Sequence, residues 1–132
     1  MALITKSEYG IVAVNNDVIA KLIAEDMMSF DGVIMPCNSK GKALKKNFLR
    51  GYGNMTDAVE ISEYNTDVFV RVYFIIKFGE SIHDVSYELF KMIEDDFELL
   101  CLDKPCELKA SIKGVKSETV AKTNLEVTKR ND

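Results

Sequence analysis

The chain has 132 residues, 47% of them hydrophobic and 29% charged, with a formal net charge of −4. That fits one globular domain with its own core. No segment reaches the ~18 consecutive apolar residues of a membrane span, and "MALITKSEYG" has no basic region followed by an apolar run, so neither a spanning segment nor a signal peptide is expected. Cys37, Cys101 and Cys106 are an odd count with no CxxC spacing, which predicts reduced thiols and a cytoplasmic location.

Taken in order, "YGIVAV" (Tyr9–Val14) reads as a short strand. Asn15, Asn16 and Asp17 then supply good helix-starting residues. Val18, Ile19, Leu22, Ile23, Met27 and Phe30 recur at helical spacing, and Asp31-Gly32 closes the helix.

Residues 32–56 keep no sustained period and are punctuated by Pro36, Gly41, Gly51 and Gly53. The reading is a long loop, functional or mobile, with one short helical turn around Ala43–Leu49. Its charge is its main feature. From Gly32 to Thr56 there is no Asp or Glu, while Lys40, Lys42, Lys45, Lys46 and Arg50 are all present. The segment carries +5 in a chain of −4, which leaves −9 for the rest.

Two strands follow. In "AVEISEY" Val59 and Ile61 face one way, Glu60 and Ser62 the other. After a tight turn at Asn65-Thr66 comes "DVFVRVYFIIKFG", whose even positions from Val68 to Phe78 are all apolar. Its odd face presents Phe69, Arg71, Tyr73 and Ile75. A second helix is predicted over Ile82–Leu100, with Ile82, Val85, Leu89, Met92, Ile93, Phe97 and Leu100 on one side. Pro105 breaks the chain, and "CELKASIKGV" alternates again.

The predicted order is therefore β-α-β-β-α-β, an α+β two-layer sandwich in which two helices cover one face of a small, mostly antiparallel sheet, as in ferredoxin-like folds. Residues 1–116 form that single domain. The polar tail 117–132 is expected to be flexible. With no third layer, Phe69, Arg71, Tyr73 and Ile75 would form an exposed apolar row with a polar rim, a candidate interface for self-association or for a terminal segment folding over it.

Chemistry-bearing motifs are sparse. In "SIHD" Ser81 can cap the helix and Asp84 can reach back to the Ser81 amide, which gives each polar residue except His83 a structural task. His83, the one histidine, has no nearby Ser or Cys nucleophile and too few partners for zinc. "GYG" at Gly51–Gly53 lacks a third glycine and does not follow a strand. The carboxylates of "EDD" (Glu94–Asp96) point different ways and read as a solvated face. Met27, Met28 and Met35 read as core and loop residues. No catalytic, cofactor or metal site is expected. The basic segment is a candidate contact for anionic lipid, nucleic acid or an acidic partner; two aromatics in an acidic domain argue against nucleic acid.

"GIVAVNNDVIAKLIA" leading to "DGV", "IKFGESIHDVSYELFKMIEDDFE" and the closing "LKASIKGV" resemble the alkaline shock protein family of Gram-positive bacteria, the envelope stress response proteins. The resemblance runs from Tyr9 to Val115 and consists of strand ends and helix starts. It implies a cytoplasmic, non-enzymatic scaffold of cell-envelope homeostasis that forms homo-oligomers and can be held at the membrane by a separate anchoring protein. A regulatory binder of nucleic acid or anionic lipid, acting through Lys40–Arg50, is the alternative. Phe78 departs from the family's usual Tyr before Gly79, the 32–56 segment is longer and more basic, and the acidic or Gly-rich extensions of some members are missing.

Overall fold

The computed structural model describes residues 2–7, 10–44 and 55–131. Its elements are β1 (Ala2–Ser7), β2 (Gly10–Asn15), α1 (Asn16–Met28), β3 (Ile34–Pro36), a 3₁₀ turn (Met55–Ala58), β4 (Val59–Tyr64), β5 (Asp67–Lys77), α2 (Ile82–Leu99), β6 (Glu107–Lys116) and β7 (Val120–Arg130). The described residues form an α+β fold with two helices and a five-stranded, mostly antiparallel sheet; β1 and β2 form a separate antiparallel pair.

The sheet is organised by β5. On one edge it pairs antiparallel with β4 along Asp67–Val72 and with β3 along Phe74–Ile76. On its other edge it pairs parallel with β6, and β6 pairs antiparallel with β7. The even residues Val70, Val72, Phe74 and Ile76 are buried in one core with Leu108, Ala110 and Ile112 of β6 and with both helices. From α1 this core takes Ile19, Ala20, Ile23 and Met27, and from α2 it takes Val85, Leu89, Phe90, Ile93 and Phe97. Burial of that apolar surface is the main stabilising term of the fold.

Three expectations are corrected here. First, the element order contains more strands than β-α-β-β-α-β. Residues 2–7 pair with β2, and Ile34–Pro36 pair with β5 inside the segment read as loop. A three-residue strand ending in proline shows no alternation. It is held by Lys77 N–H donating to the Val33 carbonyl and Cys37 N–H donating to the Tyr73 carbonyl. Second, residues 120–130 of the tail are not frayed but form the eleven-residue strand β7. Its sequence hides this because an edge strand with one solvated face buries little. Third, α1 ends at Met28 rather than at Asp31-Gly32, and Val18 is exposed. Met55–Ala58, also inside the segment read as loop, forms a 3₁₀ turn that buries Met55 and Ala58. Of the helical turn expected around Ala43–Leu49, Ala43 instead bridges Cys37, and positions 45–49 lie outside the described residues.

The "EDD" triplet also departs from a solvated face. Asp95 is exposed and faces Lys91 at 3.9 Å, but Glu94 is buried. Its carboxylate accepts from Lys129 Nζ at 2.6 Å and from Asn131 Nδ2 at 2.7 Å, which ties α2 to the end of β7. The signal was present in the spacing Phe90–Glu94–Phe97, which places Glu94 in line with two core aromatics. Asp96 meets Asp26 of α1 in the groove between the helices, each with a buried oxygen that has no partner. Burial, the hydrogen bond from one carboxyl to the other and the charges of Asp96, Glu25 and Asp95 push Asp26 up from 3.8 to about 8.

Because Asp26 binds its proton more tightly folded than unfolded, its contribution to stability is complete below about pH 4. It falls as pH rises and is gone above about pH 8. Asp26→Asn keeps a donor to Asp96 and removes the titration. Urea midpoints measured from about pH 5 to pH 9 should therefore show the variant gaining on the native chain as pH rises; a constant difference would refute the shared proton.

Candidate functional site

The face of the sheet away from the helices carries the candidate interface. Register sets its composition. Arg71 on β5 sits between Glu60 of β4 and Lys109 of β6, and Phe69 between Ser62 and Glu107. One strand further, Glu107 lies opposite Arg130, and Ser111 lies opposite Glu126.

The expected row of four is split in two. Tyr73 and Ile75 are 4% and 2% exposed, packed with Cys37 and Met35. They are not a bare surface, because the chain leaving β3 folds back along this face. Ala43 bridges Cys37, Leu44 N–H donates to the Pro36 carbonyl, and Asn38 Oδ1 accepts from the amides of Lys40 and Lys42 at 3.0 and 2.9 Å. Gly41, at φ +87°, brings this turn so near β6 that a Cβ there would lie 3.3 Å from Lys113 Cβ. Phe69 and Arg71 stay half-buried, beside a groove of about 290 Å³ lined by Glu60, Ser62, Glu107 and Lys109.

Charges on this half are paired both along β6 and across to β7. Lys109 Nζ lies 3.8 Å from Glu107 and 3.7 Å from Glu126, and Arg130 Nε lies 3.4 Å from Glu107. A hydrogen bond with Tyr73, aided by Glu126 and Glu60, holds the Arg71 guanidinium even more firmly protonated than usual. Burial, then a hydrogen bond to Glu60, pushes the Tyr73 phenol up. Such a lattice of alternating charge fixes orientation of a partner more than it adds affinity.

Of the basic segment, Lys40 and Lys42 are exposed on the ordered turn; Lys45, Lys46 and Arg50 lie outside the described residues, as does "GYG" at 51–53. Cys37 is buried, which pushes its thiol up to about 11 and keeps it protonated and unreactive. The three cysteines are not joined in disulfides. Among the described residues no group of three or more His, Cys, Asp or Glu is placed to hold a metal ion, and no helix is long and apolar enough to cross a membrane.

Of the predicted helix start the serine cap is present, while the Asp84 carboxylate faces His83 Nδ1. Ser81 Oγ accepts from the Asp84 amide at 3.2 Å. His83, its side chain 71% exposed, stacks on Tyr87 with ring centroids 4.4 Å apart, and its Nδ1 lies 3.4 Å from Asp84. Ser81→Ala should lower stability by about 1 kcal/mol in chemical unfolding. His83→Ala should stay within about 0.5 kcal/mol of the native chain. A larger loss for the histidine than for the serine would contradict this assignment.

Searches of curated proteins and of solved structures gave no match. A family model described as the ASP23 family, of cell envelope-related function, matches residues 4–117. That span takes in every element from the second half of β1 to the end of β6, so the chain belongs to this alkaline shock protein-type, cell envelope-related family.

Proposed function

We propose that the chain is a non-enzymatic scaffold of the cell envelope, a two-layer α+β module that self-associates and binds a partner through the sheet face opposite the helices. The half-exposed Phe69 amid cross-strand ion pairs carries this reading. An aromatic in a groove, ringed by Glu60, Arg71, Glu107 and Lys109, has the apolar centre and charged rim of a protein–protein contact. The family's envelope-related description supports the same role. On this reading the protein is cytoplasmic in a Gram-positive cell and reaches the inner face of the membrane by way of an anchoring protein.

The row once drawn through Tyr73 and Ile75 contracts to Phe69 and Arg71, since the other two are core residues. Phe69→Ser with Arg71→Glu should lower the mass seen in light scattering while the circular dichroism spectrum stays folded. An unchanged mass, or a native chain that is monomeric at high concentration, would refute self-association through this face.

A further inference from the structure

The other half of the same face holds a second feature. Where the turn after β3 meets the end of β5 and the start of β7, a cavity of about 430 Å³ opens. Three lysines line it: Lys40 from the turn, Lys113 from β6 and Lys122 from β7. Ser39 and Thr123 add two hydroxyls, and Ile75 gives an apolar floor. No aspartate or glutamate contributes to the lining.

That absence is unusual for this protein. On the Phe69 half of the face Lys109 and Arg130 each have a carboxylate within 4 Å. Among the described residues Lys40, Lys113 and Lys122 have none within ion-pair distance. Lys113 Nζ instead donates to Asn124 Oδ1 at 3.1 Å and lies 5.8 Å from the centroid of the Tyr73 ring, neutral partners that leave its charge uncancelled. Three like charges around one concavity, in a chain of net charge −4, raise the local potential and favour an anion.

The walls are set before any ligand arrives. Asn38 fixes the turn through two amides, and Gly41 seats it on Lys113. Across the cavity β6 and β7 change register around Lys113. Gly114 lets β7 pass so closely that an added Cβ would lie 2.8 Å from Val120 Cγ1. Both devices fix the backbone of the turn and of β7 close to β6 around one space, which is the preorganisation a binding site needs.

We infer that this cavity binds a phosphate ester, the ammonium groups of Lys40, Lys113 and Lys122 taking the phosphate and the Ile75 floor taking the carbon skeleton. Lysine serves phosphate as a compact point charge, and the volume suits a small organic molecule. The ester can be a free metabolite-sized phosphate or the headgroup of an anionic phospholipid. The site is separate from the Phe69 groove and does not depend on self-association.

Two probes distinguish the sources. Glycerol phosphate is titrated while amide shifts are followed by NMR, and flotation is measured with equimolar phosphatidylglycerol–phosphatidylcholine vesicles against phosphatidylcholine alone. Lys122→Gln, which removes an exposed side chain with no hydrogen bond or ion pair to another described residue, should weaken binding about tenfold. Lys91→Gln, a control on α2 with its side chain 80% exposed, should not. Shifts at Ser39–Gly41 and Val120–Thr123 with glycerol phosphate, lost in Lys122→Gln, identify a soluble ester. Binding to the anionic vesicles alone, with the same sensitivity, identifies a headgroup. Binding of neither probe, or equal loss in Lys91→Gln, would overturn the assignment. Light scattering of Lys122→Gln should match the native chain, so the result reads independently of the Phe69 face.

Discussion

The parallel pairing of β5 with β6 governs the rest of the molecule. Antiparallel neighbours need only a short turn, as Asn65-Thr66 provides between β4 and β5, but a parallel neighbour requires the chain to travel back along the sheet. That return is α2, and its eighteen residues match the eleven-residue strand they recross. Once α2 lies on the even face of β5, the apolar stripe of α1 has one place to go, beside it. The core of Phe74, Phe90, Phe97 and their neighbours follows from that connection. So does the division of the sheet into a helix-covered face and a face left for other purposes.

The second face is built on a different physical basis. Its apolar end is closed by the chain itself, with Cys37 and Met35 packing on Tyr73 and Ile75. Its polar end is stabilised by opposite charges facing each other across strands, an arrangement worth little individually but one that makes the strand order self-consistent. Between the two ends the β6 bulge at Lys113 reverses which side chains point outward. Val115 returns to the helix side opposite Ile76, and Lys113 joins the cations at the cavity. A simple alternating reading of "CELKASIKGV" places Lys113 outward correctly and misses why the neighbouring Gly114 is there.

What the sequence made legible follows the strength of burial. β5 stood out because its even positions from Val68 to Ile76 face the core, although Phe78, the last of the apolar row, lies past the strand and is 71% exposed; α2 stood out because its apolar stripe is long and its cap is a local hydrogen bond. Elements whose stability comes from partners elsewhere were not legible. β3 is three residues held by β5, and β7 is a polar strand held by β6 on one edge. The second face was misjudged for the same reason. That Tyr73 and Ile75 are covered depends on Met35 and Cys37 packing over them, a contact between positions more than thirty residues apart. Glu94 and Asp96 were read as solvated because charge usually is, although helical spacing already aligned Glu94 with Phe90 and Phe97.

The residues that carry this chain's resemblance to the family are strand ends and helix starts, and the structure gives them a common physical cause. Gly79, at φ +91°, turns the chain out of β5, and Ser81 caps the helix that follows within two residues. Gly114 allows β7 to cross close to the end of β6. Each is a position where the chain reverses or passes another strand at short range, and where few side chains fit. Core positions tolerate exchange among apolar residues of similar volume, so they carry a weaker signature. A motif of this kind reports how the sheet is connected, and connection alone is compatible with many partners. On the reading proposed here, the specific chemistry lies instead on exposed or half-buried side chains of the open face: Phe69 and Arg71 at one end, and Lys40, Lys113 and Lys122 at the other.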